Sequence, residues 1–456
     1  MSERILEGLQ EMDGARAMAS RALDVMRDIL PLCRSITGDG VRQTLDILGR
    51  EAPLERFEVP SGTPVFDWEV PLEWNVREAY VVGPGGERVI DFRRHSLHLL
   101  NYSVPVRATM PLAELRTHLY SIPERPDWIP YRTSYWREHW GFCLSHRQLE
   151  SLPDGDYEVV IDSSLAPGSL TYSECRIEGE LDDEFLISTH VCHPGLANDN
   201  ATGMAVAALL AAELARTRPR LSYRVLFAPV TIGSMTWLRR NESAARALRG
   251  GLVIGLLGGP GPLTYKRSRR GGTEIDAIAA AAVRELDPGA HVVDFSPYGY
   301  DERQFCSPGF NLPIGRLTRS PNGEYAEYHT SADNLDLINT DALAQSICAL
   351  ARILSRVDSN HRLRSRLPNG EPRLGKRGLF RSTGGSNPQA FEYALLWILN
   401  QADGMHGLND IAAASGLPAE VVRQAGAALL DAELIDDTDL RPTATGPTKT
   451  RVDDTP

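Results

Sequence analysis

Residues 184–200 read EFLISTHVCHPGLANDN, and no other stretch of the chain limits the fold so tightly. Phe185, Leu186 and Ile187 form a short apolar run that stops at a histidine, and polar residues begin where the run ends. A run of that length, followed by a long apolar helix pattern from about 201 to 216, reads as a buried parallel strand leading into a helix. Ligands in open α/β sheets gather at the carboxyl ends of strands, so chemistry is expected from residue 190 onward.

The segments around this unit repeat its grammar. YEVVIDSSL, CRIEGELDDEFLISTH, YRVLFAP and GLVIGLL read as strands, alternating with helices at about 201–216 and 235–248. That alternation predicts an α/β fold with a mostly parallel central sheet and helices on both faces. A chain of 456 residues exceeds one compact core. Apolar positions at helical spacing over 3–30 and about 41–50 give an N-terminal helical part of the α/β domain, 1–56. Short alternating stretches broken by Gly and Pro give a small β-rich inserted domain, 57–130. The main part of the α/β domain then runs over 131–358, and a polar Arg, Gly and Pro stretch, 359–386, reads as a linker. Three short helices in a helix-turn-helix arrangement occupy 387–438, and a polar flexible tail follows, 439–456.

Three of the eleven histidines fall in the two segments least like core: His190 and His193 in THVCHPGLANDN, and His329 in GEYAEYHTSADN. Zinc prefers imidazole and carboxylate donors and needs neighbouring hydrogen bonds to orient them. Asp199 follows His190 by nine positions, flanked by Asn198 and Asn200 at the start of a helix, where an anionic side chain can be held toward a cation.

These motifs resemble the co-catalytic zinc aminopeptidases, in which a His at a strand end precedes an Asn-Asp-Asn helix start whose Asp bridges two metals. The last ligand of that family lies in a Tyr-His-Thr segment followed by Ala-Asp, as in Tyr328, His329, Thr330, Ala332 and Asp333. More closely, THVCHPGLANDN, TIGSMTWL, SPYGYDERQFCSPGFNLP and EYHTSADNLD resemble a zinc aminopeptidase-like family of unsettled function, with a β-rich N-terminal insert and a C-terminal winged helix. The resemblance implies ligand roles for His190, Asp199 and His329, and a divalent metal, with zinc expected (one or two ions) and iron or manganese as alternatives.

The departures from the aminopeptidase pattern matter as much. That family has two consecutive glutamates after the strand corresponding to YRVLFAP, one a base and one a ligand; here the position reads Pro229, Val230, Thr231, Ile232, Gly233. The next family ligand, an Asp at the end of the following strand, falls in GLVIGLLGG and is also absent. Either one metal is held by His190, Asp199, His329 and His193, or the missing groups come from elsewhere. Glu327 and Asp301 lead the candidates for base, ahead of Glu302 and Glu324, and Cys192 is read as a buried thiol rather than a soft ligand.

The expected activity is metal-dependent hydrolysis of an amide or peptide bond in a small-molecule or short-peptide substrate. The basic loop YKRSRRGG suggests an anionic substrate, with Arg269, Arg270 and Tyr300 as substrate-binding residues. The alternatives are non-peptidase metal chemistry in specialised biosynthesis and a catalytically degraded binding or regulatory protein. The net charge of −12 argues against a general nucleic-acid surface. The first residues lack the apolar core of a signal peptide, and no stretch reaches the roughly 18 apolar residues of a membrane helix. A cytoplasmic protein without nucleic-acid or membrane partners is expected, and a homo-oligomer is allowed. The six cysteines contain no C-x-x-C pair, which argues against a disulfide framework or zinc ribbon.

Overall fold

The apolar strand that ends at His190 lies inside an eight-stranded sheet. The computed structural model describes residues 5–321, 323–379 and 388–438, and the chain divides into two units at residue 355. The sheet of the first unit runs in the order Glu55–Pro60, Ser169–Ile177, Ser222–Ala228, Glu184–His190, Leu248–Ile254, Ile314–Thr318, Thr264–Lys266, His291–Val293. Its four central strands are parallel, with His190 paired to Ala228 and Ser188 to Val253. Every residue of Leu248–Ile254 is buried, as is all of Glu184–His190 after Glu184, the signature of strands covered on both sides.

The helix Thr202–Arg216 is apolar almost all round, with eleven buried residues, and packs on three of these strands. It begins directly after Asp199 and Asn200, so the sheet and this helix fix the position of the NDN segment between them. The helix Thr340–Asp358 closes the first unit. No described helix is long and apolar enough to cross a membrane.

The β-rich insert has other limits than the sequence suggests. Glu55–Pro60, placed partly in the insert by pattern, is the edge strand of the large sheet and pairs with Ser169–Ile177. Asp156–Ala166, read as the first strand of the large sheet, instead pairs with Glu73–Val82 and Val106–Pro111 in a separate four-stranded antiparallel sheet. Except at the buried Val160, burial alternates along it through Ser163, as in a strand with one wet face, and no helix separates it from the next strand. The chain changes sheets at Pro167 and Gly168. A Cβ on Gly168 would sit 2.5 Å from Glu73 Cβ and Oε2, so only glycine passes there.

The second unit is a winged helix-turn-helix: helices Pro388–Gln401, Leu408–Ser415 and Ala419–Asp431 with a three-stranded antiparallel sheet. Its central strand is Arg362–Ser365, paired with Asp403–Gly407 and Ile435–Asp437, so the stretch read as linker begins with a strand of this unit. That strand, RLRS, is too short and too charged to declare itself in isolation. Leu395, Ile398, Ile411, Val422 and Leu429 form its core. The remainder of the expected linker from residue 380, and the tail 439–456, lie outside the described residues.

Candidate metal centre

The NDN segment works through its asparagines. Residues Ala197–Ala201 form a single wide turn in which Asp199 (φ −110°, ψ 77°) and Asn200 (φ −148°, ψ 36°) leave helical geometry. Asn200 donates to Thr189 Oγ1 (2.7 Å) and His190 O (3.0 Å) and accepts from the Leu256 amide (3.3 Å). Asn198 Oδ1 accepts from the amides of Gly258 (3.0 Å) and Gly259 (3.1 Å). The two amides thus tie the turn to the ends of adjacent parallel strands, and the side chain between them is left to face the site. Asp333 completes the clamp: its carboxylate accepts the amides of Asn198 (2.5 Å) and Asp199 (3.1 Å) and the Tyr325 hydroxyl (3.1 Å).

Asp199 is fully buried, with its two carboxylate oxygens turned to different histidines. Oδ1 lies 2.9 Å from His190 Nε2, and Oδ2 lies 3.1 Å from His329 Nε2. His193 joins them: His190, His193 and Asp199 each offer a ligand atom within 4.8 Å of the others. The His193 ring is 4.8 Å from that of His190 and 5.2 Å from that of His329, centroid to centroid. Arg34, buried in the segment after the first helix, holds the His193 carbonyl through Nε at 2.9 Å. Burial alone would raise the Asp199 carboxyl, but the imidazoles of His193, His190 and His329 outweigh it and hold it well below the usual carboxylate range. Burial likewise pushes His193 well below its ordinary value. An ionised carboxylate and a neutral imidazole are the forms a metal requires.

Aromatic rings wall the cluster. Tyr300 stacks on His190 and donates its hydroxyl proton to Asp199 Oδ1 at 3.0 Å. Tyr328 stacks on His329 with centroids 3.9 Å apart. Tyr131 meets His193 and His329 edge-on, at 5.2 and 5.0 Å, and its amide takes the His329 carbonyl at 2.8 Å. His329 itself has φ 57°, a left-handed conformation that a non-glycine residue keeps only where its surroundings impose it.

The donor set suits a divalent ion. His190 turns Nε2 toward Asp199, and its Nδ1 is buried without a hydrogen-bond partner among the described residues. The two imidazoles and one carboxylate of His190, His193 and Asp199 match zinc, and also iron(II), while His329 reaches the cluster through Asp199 Oδ2 and lies outside the three whose ligand atoms are mutually within 4.8 Å. A cavity of about 270 Å³ ends on His193, Tyr300 and Tyr328, with Val230, Thr231, Ile232 and Met235 along one wall. The stretch that follows the strand Ser222–Ala228 is therefore a largely apolar wall of this cavity.

The other residues named from the sequence lie elsewhere. Asp301 is fully buried, accepts from Ser234 Oγ at 2.7 Å, and is pushed up to about 7 by burial; it does not line the cavity. Glu327 is half-buried, also off the cavity, and its carboxylate makes no hydrogen bond or ion pair among the described residues. Glu302 is buried in ion pairs with Lys266 (2.6 Å) and Arg316 (3.2 Å), and Glu324 is exposed. Arg269 and Arg270 sit on an exposed turn, Arg269 bonded to Asn311, and neither lines the cavity. The basic run is no single surface, because Lys266 points into the core while Arg267 pairs with Asp294. Cys192 is a buried thiol bonded by the Val230 amide at 3.3 Å. Sequence reasoning missed Tyr131, Trp68, Trp136 and Arg303; the aromatic density of IPYRTSYW (129–136) was the available signal for two of them.

Residues 23–360 match a family described as a domain of unknown function, DUF4910, and residues 361–437 match a winged helix-turn-helix. A Clostridium acetobutylicum protein named for polysaccharide biosynthesis and an aminopeptidase-like domain is 48% identical over 413 residues, spanning 90% of this chain and 95% of its own. A crystal structure from the same species, of a protein named as a peptidase, superposes with a TM-score of 0.82 at 45% identity, covering 93% of this chain and 98% of that one. A peptidase M28 precursor from Shewanella amazonensis (TM-score 0.54, 14% identity, 77% and 96% coverage) and a zinc aminopeptidase from Bacillus subtilis (0.54, 11%, 74% and 94%) share the fold.

Proposed function

The chain belongs to the DUF4910 family, with a zinc aminopeptidase-like fold, and on that premise we propose that it is a metal-dependent hydrolase of an amide bond in a small, anionic substrate. One observation carries the reading: the Asp199 carboxylate is shared between His190 and His329 at 2.9 and 3.1 Å, with His193 alongside, at the carboxyl ends of the parallel strands. His190, His193, Asp199 and His329 would hold one ion. When bound, the ion supplies Lewis acidity toward the amide carbonyl and toward water.

The protein's own groups do the rest. With the Tyr300 proton given to Asp199, Tyr328 is the donor in the 3.3 Å bond between the two hydroxyls, so Tyr328 steadies Tyr300 and keeps its oxygen as an acceptor toward the cavity. Val230, Ile232 and Met235 exclude water from one side of the bound amide. No carboxylate lines the cavity, so we propose that Glu327, two positions before His329 and without a hydrogen bond or ion pair among the described residues, passes the proton to the leaving amine through an intervening water. Asp301, committed to Ser234, is the weaker candidate. Arg269 and Arg270 are replaced in our proposal by Arg303 as the receiver of substrate charge, because Arg303 lines the cavity.

Exopeptidase action is not part of the proposal. A free substrate ammonium needs acidic partners, and no Asp or Glu lines the cavity. The Clostridium relative's name favours a role in polysaccharide biosynthesis rather than peptide turnover. The absence of the paired glutamates favours a second reading, a protein that kept the fold and lost the reaction. A panel of N-acyl and peptidyl amides incubated with the metal-loaded protein separates the two. Release of amine that disappears in Glu327→Gln supports hydrolysis and the base; no release from any amide supports the second reading. The expectation of no nucleic-acid partner does not follow from the fold, since helix-turn-helix units are a DNA-binding architecture.

A further inference from the structure

The cavity that ends on His193 opens between two indoles. Trp68, in the hairpin formed by Pro64–Val65 and Trp68–Glu69, and Trp136, in the loop after Tyr131, lie 5.1 Å apart at 59°, each 49% exposed. Single exposed rings need no explanation, but two that meet at the mouth of a cavity form an apolar patch. Trp136, and the hairpin that carries Trp68, are held there at a conformational cost. Trp136 has φ 68°; Phe66, at the hairpin tip beside Trp68, has φ 56° and is pinned by an edge contact to Phe310 at 5.8 Å. A bulky side chain in the left-handed region costs on the order of 1–3 kcal/mol, and such strain gathers at ligand clamps.

The lining narrows what can bind. The mouth offers flat apolar faces; the floor offers hydrogen-bonding groups in His193, Thr231, Tyr300 and Tyr328. At the rim, Arg303 is exposed and makes no hydrogen bond or ion pair among the described residues. About 270 Å³ is room for one ring-sized group, at the lower edge of small-molecule sites of roughly 300–1,000 Å³. A sugar ring has an apolar C–H face to lay on an indole and a hydroxyl edge to leave in water. An acyl amide on that ring can reach the floor, and an anionic substituent can pair with Arg303.

We infer that the Trp68–Trp136 mouth and Arg303 form the subsite for an N-acylated amino sugar carrying a carboxylate or phosphate. This inference rests on the hydrolase reading above for the fate of the substrate. Water's oxygen bonds to the acyl carbon, the C–N bond breaks, and the amine nitrogen takes the proton, giving a carboxylic acid and a free amino sugar. No oxidant, reductant or second substrate is needed.

Binding tests it without turnover. Tryptophan fluorescence and calorimetry are followed with N-acetylglucosamine 1-phosphate, N-acetylglucosaminuronic acid, N-acetylglucosamine and N-acetylphenylalanine as probes. The expected result is saturable quenching by one or both charged sugars, and which of the two binds identifies the anion's source. Affinity for it should fall about tenfold or more in Trp136→Ala and in Arg303→Ala, a difference of about 1.4 kcal/mol. Trp136→Phe, which keeps a ring should the alanine variant misfold, should lose less. N-acetylphenylalanine binding as tightly as the sugars, or no sugar binding at all, would overturn the inference. Sugar binding without hydrolysis of any amide would sink the hydrolase reading alone; peptide hydrolysis without sugar binding would sink the saccharide subsite alone.

Discussion

The Tyr300 ring lies flat against the His190 imidazole, with centroids 4.5 Å apart and 18° between the planes, while its hydroxyl reaches Asp199 at 3.0 Å. One side chain therefore orients two of the proposed ligands at once. Tyr300→Phe keeps the stacking and removes the hydrogen bond. Loss of such a supporting bond lowers metal affinity or turnover about 10–100-fold in metal sites. Competition with a chelator and amide turnover measured on the same variant should show that loss with folding unchanged; an unaltered affinity and rate would leave Tyr300 with a packing role only.

Asp333 ties the turn that carries Asp199 to the segment that carries His329. Asp333→Ala strands the buried amides of Asn198 and Asp199, each worth roughly 1–3 kcal/mol when unsatisfied. The expected loss in urea unfolding is about 2–6 kcal/mol, with Asp333→Asn, which keeps one acceptor oxygen, losing less. Equal losses in the two variants would mean that charge, not the hydrogen-bond clamp, is what matters.

Asp301 carries a pH dependence of known sign. Burial lifts its carboxyl from 3.8 to about 7, so the folded state keeps a proton that the unfolded chain has released. Folded protein then binds more protons between about 4 and 7, and stability must fall as pH rises through that window. Asp333, lifted to about 7 by burial as well, adds a fall of the same sign, so Asp301→Asn, neutral at every pH, should make the fall shallower without abolishing it and be the more stable protein at pH 8. A variant whose stability changes with pH as steeply as the native chain's would mean that Asp301 is ionised in the fold.

What could be read in the sequence was what local pattern encodes. The strand ending at His190, the NDN turn and the His329 segment each announce themselves within a dozen residues, because apolar runs and polar helix starts are short-range signals. Strand partnership is not short-range. Nothing within Asp156–Ala166 says that it pairs with Glu73–Val82 rather than with its neighbour in sequence, and nothing in RLRS marks it as the centre of the second unit's sheet. Charge was the poorest guide: Lys266 of the basic run is buried against Glu302, while Arg303, outside that run, faces the cavity. The Trp68–Trp136 pair joins two segments that neither spacing nor composition connects.

The central claim is that His190, His193, Asp199 and His329 hold a single cation, and metal analysis of the purified chain tests it directly. Mass spectrometry of the native protein after incubation with zinc and extensive dialysis should find about one ion per chain, and His190→Ala and His329→Ala, verified as folded by circular dichroism, should bind far less. A native protein that retains no metal, or histidine variants that retain as much as it does, would contradict the account.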